Sequence, residues 1–112
     1  MIPRAVRIFV STEPQDMRRG FDRLANVVRE ELGGDPRGGL FVFLNRRGDR
    51  LKVLWWERNG FAVLYKRLHR ATTRAPKPTN PSQRAVEIDV AGLDAMMRGI
   101  DRPVRHRERE RS

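Results

Sequence analysis

The sequence predicts an α+β domain: a small, mainly antiparallel sheet of β-α-β-β-β order, one helix packed on a face, and a second, C-terminal helix. Three observations carry this expectation. Segments 40–44, 51–56 and 61–68 are rich in β-branched and aromatic residues and follow one another with turn residues between them. Ahead of them, Met17, Phe21, Leu24, Val28 and Leu32 recur at helical spacing. The length, 112 residues, fits one domain, and 38% hydrophobic residues with two Trp and five Phe can build its core.

Each element has a local cause. Residues 4–10 alternate apolar and basic side chains, as a half-buried strand does. Residues 11–15, with Pro14, read as a turn, and Asp16 as the N-cap of the helix that Gly33-Gly34 stops. A Pro/Gly loop at 35–39 leads into the strands. Segment 69–83 holds Pro76, Pro78 and Pro81 and few apolar residues, so it reads as a loop or extended arm. A short strand at 85–88 follows. Asp89 can cap the second helix, with Val90, Leu93, Met97 and Ile100 on one side and Gly99 near its end. The Arg/Glu-rich segment 102–112 lacks apolar periodicity and reads as a disordered tail. The expected organisation is one domain over 1–101, with core 4–68, arm 69–84 and a strand and helix at 85–100, then the tail.

The turns propose a register. Asn59-Gly60 signals a two-residue hairpin turn, which would set Trp56 opposite Val63, Leu54 opposite Tyr65 and Lys52 opposite Arg67. A four-residue loop at 46–49 would set Asn45 opposite Arg50, Phe43 opposite Lys52 and Phe41 opposite Leu54. One face then carries Leu40, Val42, Leu44, Leu51, Val53, Trp55, Ala62, Leu64 and Leu68, with Lys66, and the first helix is expected to cover it. The other carries Phe41, Phe43, Asn45, Arg50, Lys52, Leu54, Trp56, Val63, Tyr65 and Arg67. This mixed face is either a stacking platform for nucleobases or a second packing layer.

Charge narrows the function. There are 24 Lys+Arg against 14 Asp+Glu, a formal net charge of +10. Residues 37–84 contain twelve bases and two acids, Asp49 and Glu57, so the whole surplus sits there. Arg dominates, and its planar fork suits phosphate. A polyanionic partner, most simply nucleic acid, is the expectation. The candidate contacts are Arg46, Arg47, Arg50, Lys52, Trp56, Tyr65, Lys66 and Arg67. With no cysteine, a disulfide framework, a Cys-bound zinc and a thiol nucleophile are excluded. His69 and His106 are too far apart in sequence to indicate a metal site, and no carboxylate pair has the spacing of a two-metal nuclease. The expectation is no enzyme, no cofactor and no metal. Lacking a secretory or bilayer-spanning apolar run, the protein is expected in the cytoplasm, associated with the nucleoid and not with a membrane.

From Asp16-Met17-Arg18-Arg19-Gly20-Phe21-Asp22, the sequence resembles a known family. The likeness runs through Asp35-Pro36, Leu40-Phe41-Val42-Phe43, the block from Asn45 to Trp56, Gly60-Phe61 and Tyr65-Lys66-Arg67-Leu68. It is similar to the TnpB accessory proteins of the insertion sequence 66 transposons, encoded by the element's second open reading frame. The resemblance implies a small protein needed for DNA transposition beside a separate, larger transposase that carries the catalytic acids. Transposon-end or target DNA, the transposase and another element-encoded accessory protein are the implied partners, with room for a homo-oligomer. No catalytic residue comes with the likeness. The family's aromatic-Pro segment after Leu68 is missing here, where 69–83 has no aromatic. A rival expectation is a protein–protein adaptor docking an acidic partner, and a weaker one a small metal-dependent nuclease.

Overall fold

The computed structural model describes residues 6–101. Strands β1 (Ile8–Ser11), β2 (Leu40–Leu44), β3 (Arg50–Glu57), β4 (Gly60–Arg67) and β6 (Ala85–Ile88) form one sheet in the order β4-β3-β2-β1-β6. Strand β1 runs parallel to β2, with Ile8 opposite Leu40 and Val10 opposite Val42. The other pairings are antiparallel. Helix α1 (Phe21–Val27) and a wider π-helical turn at Val28–Leu32 make the crossover between the parallel strands. Helix α2 (Val90–Arg98) follows β6. Strands β5 (Ala71–Thr72) and β7 (Ile100–Asp101) make a separate two-stranded ribbon. The α+β class is as the sequence predicts.

The helices sit on opposite faces, and this corrects one expectation. The face of Leu40, Val42, Leu44, Leu51, Val53 and Trp55 packs under Leu93 and Met96 of α2. Helix α1 instead covers the mixed face, where Leu24, Ala25, Val27 and Val28 meet Phe41, Phe43 and Leu54. Phe41 and Phe43 are 4% and 0% exposed, so they are core and not a platform. The physical reason is that both faces carry buried apolar side chains, so each needs a helix over it. The expected α2 stripe is partly displaced: Val90 is exposed, Met96 is buried where Met97 was expected, and Ile100 lies in β7.

Helix α1 also starts later than the periodicity predicts. The Asp16 carboxylate accepts the Arg18 backbone N–H at 2.9 Å and binds the Arg18 guanidinium, while Arg19 N donates to Asp16 O at 3.1 Å. These local bonds make a tight turn rather than a helical one. The chain is then extended at Gly20, which occupies the N-cap position without a side-chain cap. The stop is as expected, with Gly33 left-handed at φ 69°. Asp89 caps α2 as predicted, accepting Gly92 N at 2.7 Å.

The β2–β3 register is the expected one, with Phe41 opposite Leu54 and Phe43 opposite Lys52. The β3–β4 register differs. Glu57 pairs with Gly60 and Trp56 with Phe61, so the two turn residues are Arg58 and Asn59. Arg58 takes the left-handed conformation, φ 56°. The reward is an edge-to-face contact of Trp56 on Phe61, ring centroids 5.0 Å apart, which the expected register would have lost. The shift preserves both faces but changes the partners: Lys52 faces Tyr65, Leu54 faces Val63, and Arg67 faces Arg50.

The segment expected to be a loop or arm contains β5, and Ala71 and Thr73 within it are buried. The tail expected at 102–112 and the start of the strand expected at 4–10 lie outside the described residues.

Candidate nucleic-acid interface

The β2–β3 hairpin tip is fixed by a closed set of bonds. Asn45 N donates to Arg50 O at 3.1 Å, and Gly48 N donates to Asn45 O at 3.1 Å. The Asn45 side chain works at both ends, its Oδ1 accepting Arg50 N at 3.0 Å and its Nδ2 donating to Asp49 Oδ1 at 2.7 Å. That last bond, joined by the positive charges of Arg47 and Arg50, holds the Asp49 carboxyl below its ordinary pKa. Gly48 is left-handed at φ 74°, and a Cβ there would collide with Thr73 O. Arg46 and Arg47 are exposed on this braced loop.

The chain after β4 returns to the same tip. Leu68 N donates to Asp49 O at 2.7 Å and Thr73 N to Gly48 O at 2.8 Å. Between them Arg70 turns the chain with a left-handed φ of 54°. Arg74 therefore lines a cleft of about 420 Å³ with Ser11, Glu13, Arg46, Arg47 and Thr73. A second cleft of about 420 Å³ lies at the tip, lined by Gln15, Asp16, Arg18, Arg46, Arg47 and Arg50. Arg46 and Arg47 are thus shared between two basic hollows.

The predicted contacts fall into three groups. Arg46, Arg47, Arg50 and Arg67 gather at the tip end, Arg50 directly opposite Arg67. Ion pairs elsewhere join Arg7 to Glu87, Arg18 to Asp16, Arg84 to Glu13 and Arg98 to Asp94. Among the described residues, none of the tip arginines makes such a pair. Tyr65, half exposed, stands two pairs further along the ladder, opposite Lys52, whose Nζ lies 5.1 Å from its ring centroid. Lys52 and Lys66 are already bound within the protein. Lys52 Nζ donates to Arg19 O at 2.8 Å, and Lys66 Nζ donates to Met97 O at 2.6 Å, near the end of α2. Trp56 lies near the other end of β3, with the Arg37 guanidinium 4.2 Å over its ring and Phe61 against its edge. The sequence reasoning missed Arg18 and Arg74. Arg74 lies inside the acid-poor stretch, but only the folded path of the arm brings it to the tip.

Among the described residues, no group of three or more His, Asp or Glu comes together that could hold a metal ion. Asp16 is committed to Arg18, which holds its pKa down at about 2. No helix among the described residues is long and apolar enough to cross a membrane.

Comparison with known proteins places the chain. A family model described as IS66 Orf2 like protein matches residues 6–107. The chain is 39% identical over 97 residues to the "uncharacterized protein y4hO" of Sinorhizobium fredii, covering 86% of this chain and 82% of that one. It is 35% identical over 96 residues to "uncharacterized protein y4jC" of the same organism, covering 81% and 82%. No solved structure matches it. The chain belongs to the IS66 Orf2-like family, the accessory proteins of insertion-sequence elements.

Proposed function

We propose that this insertion-sequence accessory protein binds nucleic acid through the basic hairpin tip and acts in DNA transposition with a separate transposase, without catalysing strand chemistry itself. The observation that carries this reading is the Arg50–Arg67 pair beside Arg46 and Arg47. Like charges set opposite on adjacent strands repel, and Asp49, the one carboxylate whose charge acts on Arg47 and Arg50, forms no ion pair with them among the described residues and offsets only part of four guanidiniums. A phosphate backbone supplies the missing countercharge, and arginine forks match its oxygens. Tyr65 is half exposed next to the cluster and, with Lys52 over one face of its ring, would stack an unpaired base on the other. Lys52, Lys66 and Trp56 serve chiefly inside the fold, since their ammonium groups or ring face are taken. The acids near the tip are engaged as well, Asp49 by Asn45 and Asp16 by Arg18, which favours binding over metal-dependent cleavage.

The test is a binding series against salt, comparing transposon-end DNA, scrambled duplex and single strands. Phosphate neutralisation releases counterions, so the affinity should fall steeply and linearly on logarithmic axes. A flat salt response, or no binding, sinks the reading.

A second reading has its own observation. At the other end of β4, Phe21 is 49% exposed and its ring centroid lies 6.4 Å from that of Phe61. An exposed aromatic of this size is a natural protein contact. A protein adaptor would use that end, retain the transposase in co-purification and ignore DNA.

A further inference from the structure

The cleft between the hairpin tip and the returning arm takes the nucleic-acid reading further, and the inference rests on that reading. Its lining includes Arg46, Arg47 and Arg74 and a single acid, Glu13. Three guanidiniums against one carboxylate leave the lining net positive, which suits a phosphate group. Glu13 is itself drawn to Arg84, at 3.4 Å. Arg74 is exposed, and among the described residues it makes no hydrogen bond or ion pair. Its position is set beforehand by the backbone. Thr73 N bonds Gly48 O at 2.8 Å, and the missing Cβ of Gly48 is what admits Thr73 O so closely. With the backbone anchored, only the Arg74 side chain has to be ordered on binding.

We propose that this cleft is a phosphate site, gripping one phosphate group of a nucleic-acid strand between Arg46 and Arg47 of the hairpin and Arg74 of the arm. The phosphate can come from within the backbone, as a diester with two free oxygens, or from a strand end, as a monoester with three, and either offers a guanidinium fork two oxygens.

The experiment uses the full chain, with Arg74→Ala as the variant and Arg98→Ala as a control already paired with Asp94. Inorganic pyrophosphate should raise the melting temperature of the wild type and of Arg98→Ala, and leave Arg74→Ala nearly unmoved. For DNA, Arg74→Ala should lose roughly tenfold in affinity and about one unit of salt slope, one charge-assisted contact's worth. Oligonucleotides with and without a 5′-phosphate separate the two sources. If end phosphorylation tightens wild-type binding and Arg74→Ala removes that advantage, the phosphate is terminal. If both oligonucleotides bind alike and weaken alike, it is a backbone phosphate. An Arg74→Ala protein that binds pyrophosphate and DNA as the wild type does would overturn the proposal. Loss of the pyrophosphate response in Arg74→Ala, with DNA never bound by either protein, would keep the phosphate site and refute the nucleic-acid reading.

Discussion

Arg50 on β3 and Arg67 on β4 stand directly opposite each other, at the end of the sheet that displays Arg46 and Arg47. Such a pair works against the sheet it belongs to, by a few tenths of a kcal/mol once solvent screening is counted. Arg67→Gln should therefore stabilise the free protein slightly at low salt, and the gain should shrink as salt rises. The same change should weaken DNA binding. Urea melts at two ionic strengths, run beside a retardation assay, read both effects. A stability loss with unchanged binding would place Arg67 in the fold and not in the interface.

Lys66 gives the opposite expectation. Its ammonium donates to Met97 O at 2.6 Å, where the last carbonyls of α2 lack helical partners. A cation there also favours the negative end of the helix. Lys66→Met keeps the stem and removes the charge. It should cost about 1 kcal/mol in urea unfolding and leave DNA affinity near that of wild type. A DNA defect without a stability change would return Lys66 to the interface.

The Asp16–Arg18 turn makes a pH prediction. The Arg18 side chain, then its backbone N–H, hold the Asp16 carboxyl down at about 2, against 3.8 for the free group. A carboxyl whose folded pKa is depressed adds stability above its unfolded pKa and loses that contribution as pH falls through the folded one. The contribution is thus intact above about pH 4 and fades between there and pH 2. A carbon-detected NMR titration should place the Asp16 midpoint near 2, and Arg18→Ala should move it back toward 3.8. A midpoint near 4 in the wild type would mean the turn is open in solution.

What the sequence made legible follows from how local each cause is. The β2–β3 register could be read because Asn45 and Arg50 close a short loop with local bonds. The caps at Gly33 and Asp89 are equally local. The β3–β4 register could not be read from Asn59-Gly60, because the packing of Trp56 on Phe61 outweighs the turn preference and puts Arg58 in a left-handed conformation. Which helix covers which face was also hidden, since both faces offer apolar residues and alternation says only that there are two. At the site, the tip arginines were visible as a charge run. Arg74 was not placed, because its approach depends on the Gly48–Thr73 contact, 25 residues apart along the chain.

The tip itself supplies the deciding variant. Arg46 and Arg47 are exposed and form no ion pair among the described residues, and the Arg47 charge acts on Asp49 from a distance, so replacing both with Gln should leave the structure folded. The two clefts share these residues, so both would lose positive charge at once. If each arginine neutralises one phosphate, the salt slope on duplex DNA should fall by roughly two, at about 0.9 per contact. The loss should be alike for transposon-end and scrambled duplex, because backbone contacts carry no sequence information. Co-purification with the transposase should persist, since the exposed Phe21 and its neighbour Phe61 lie at the other end of the sheet. The reverse pattern, in which DNA affinity and slope stay at wild-type values while the transposase is lost, would make the basic tip, and not the Phe21 end, the docking site for an acidic partner protein.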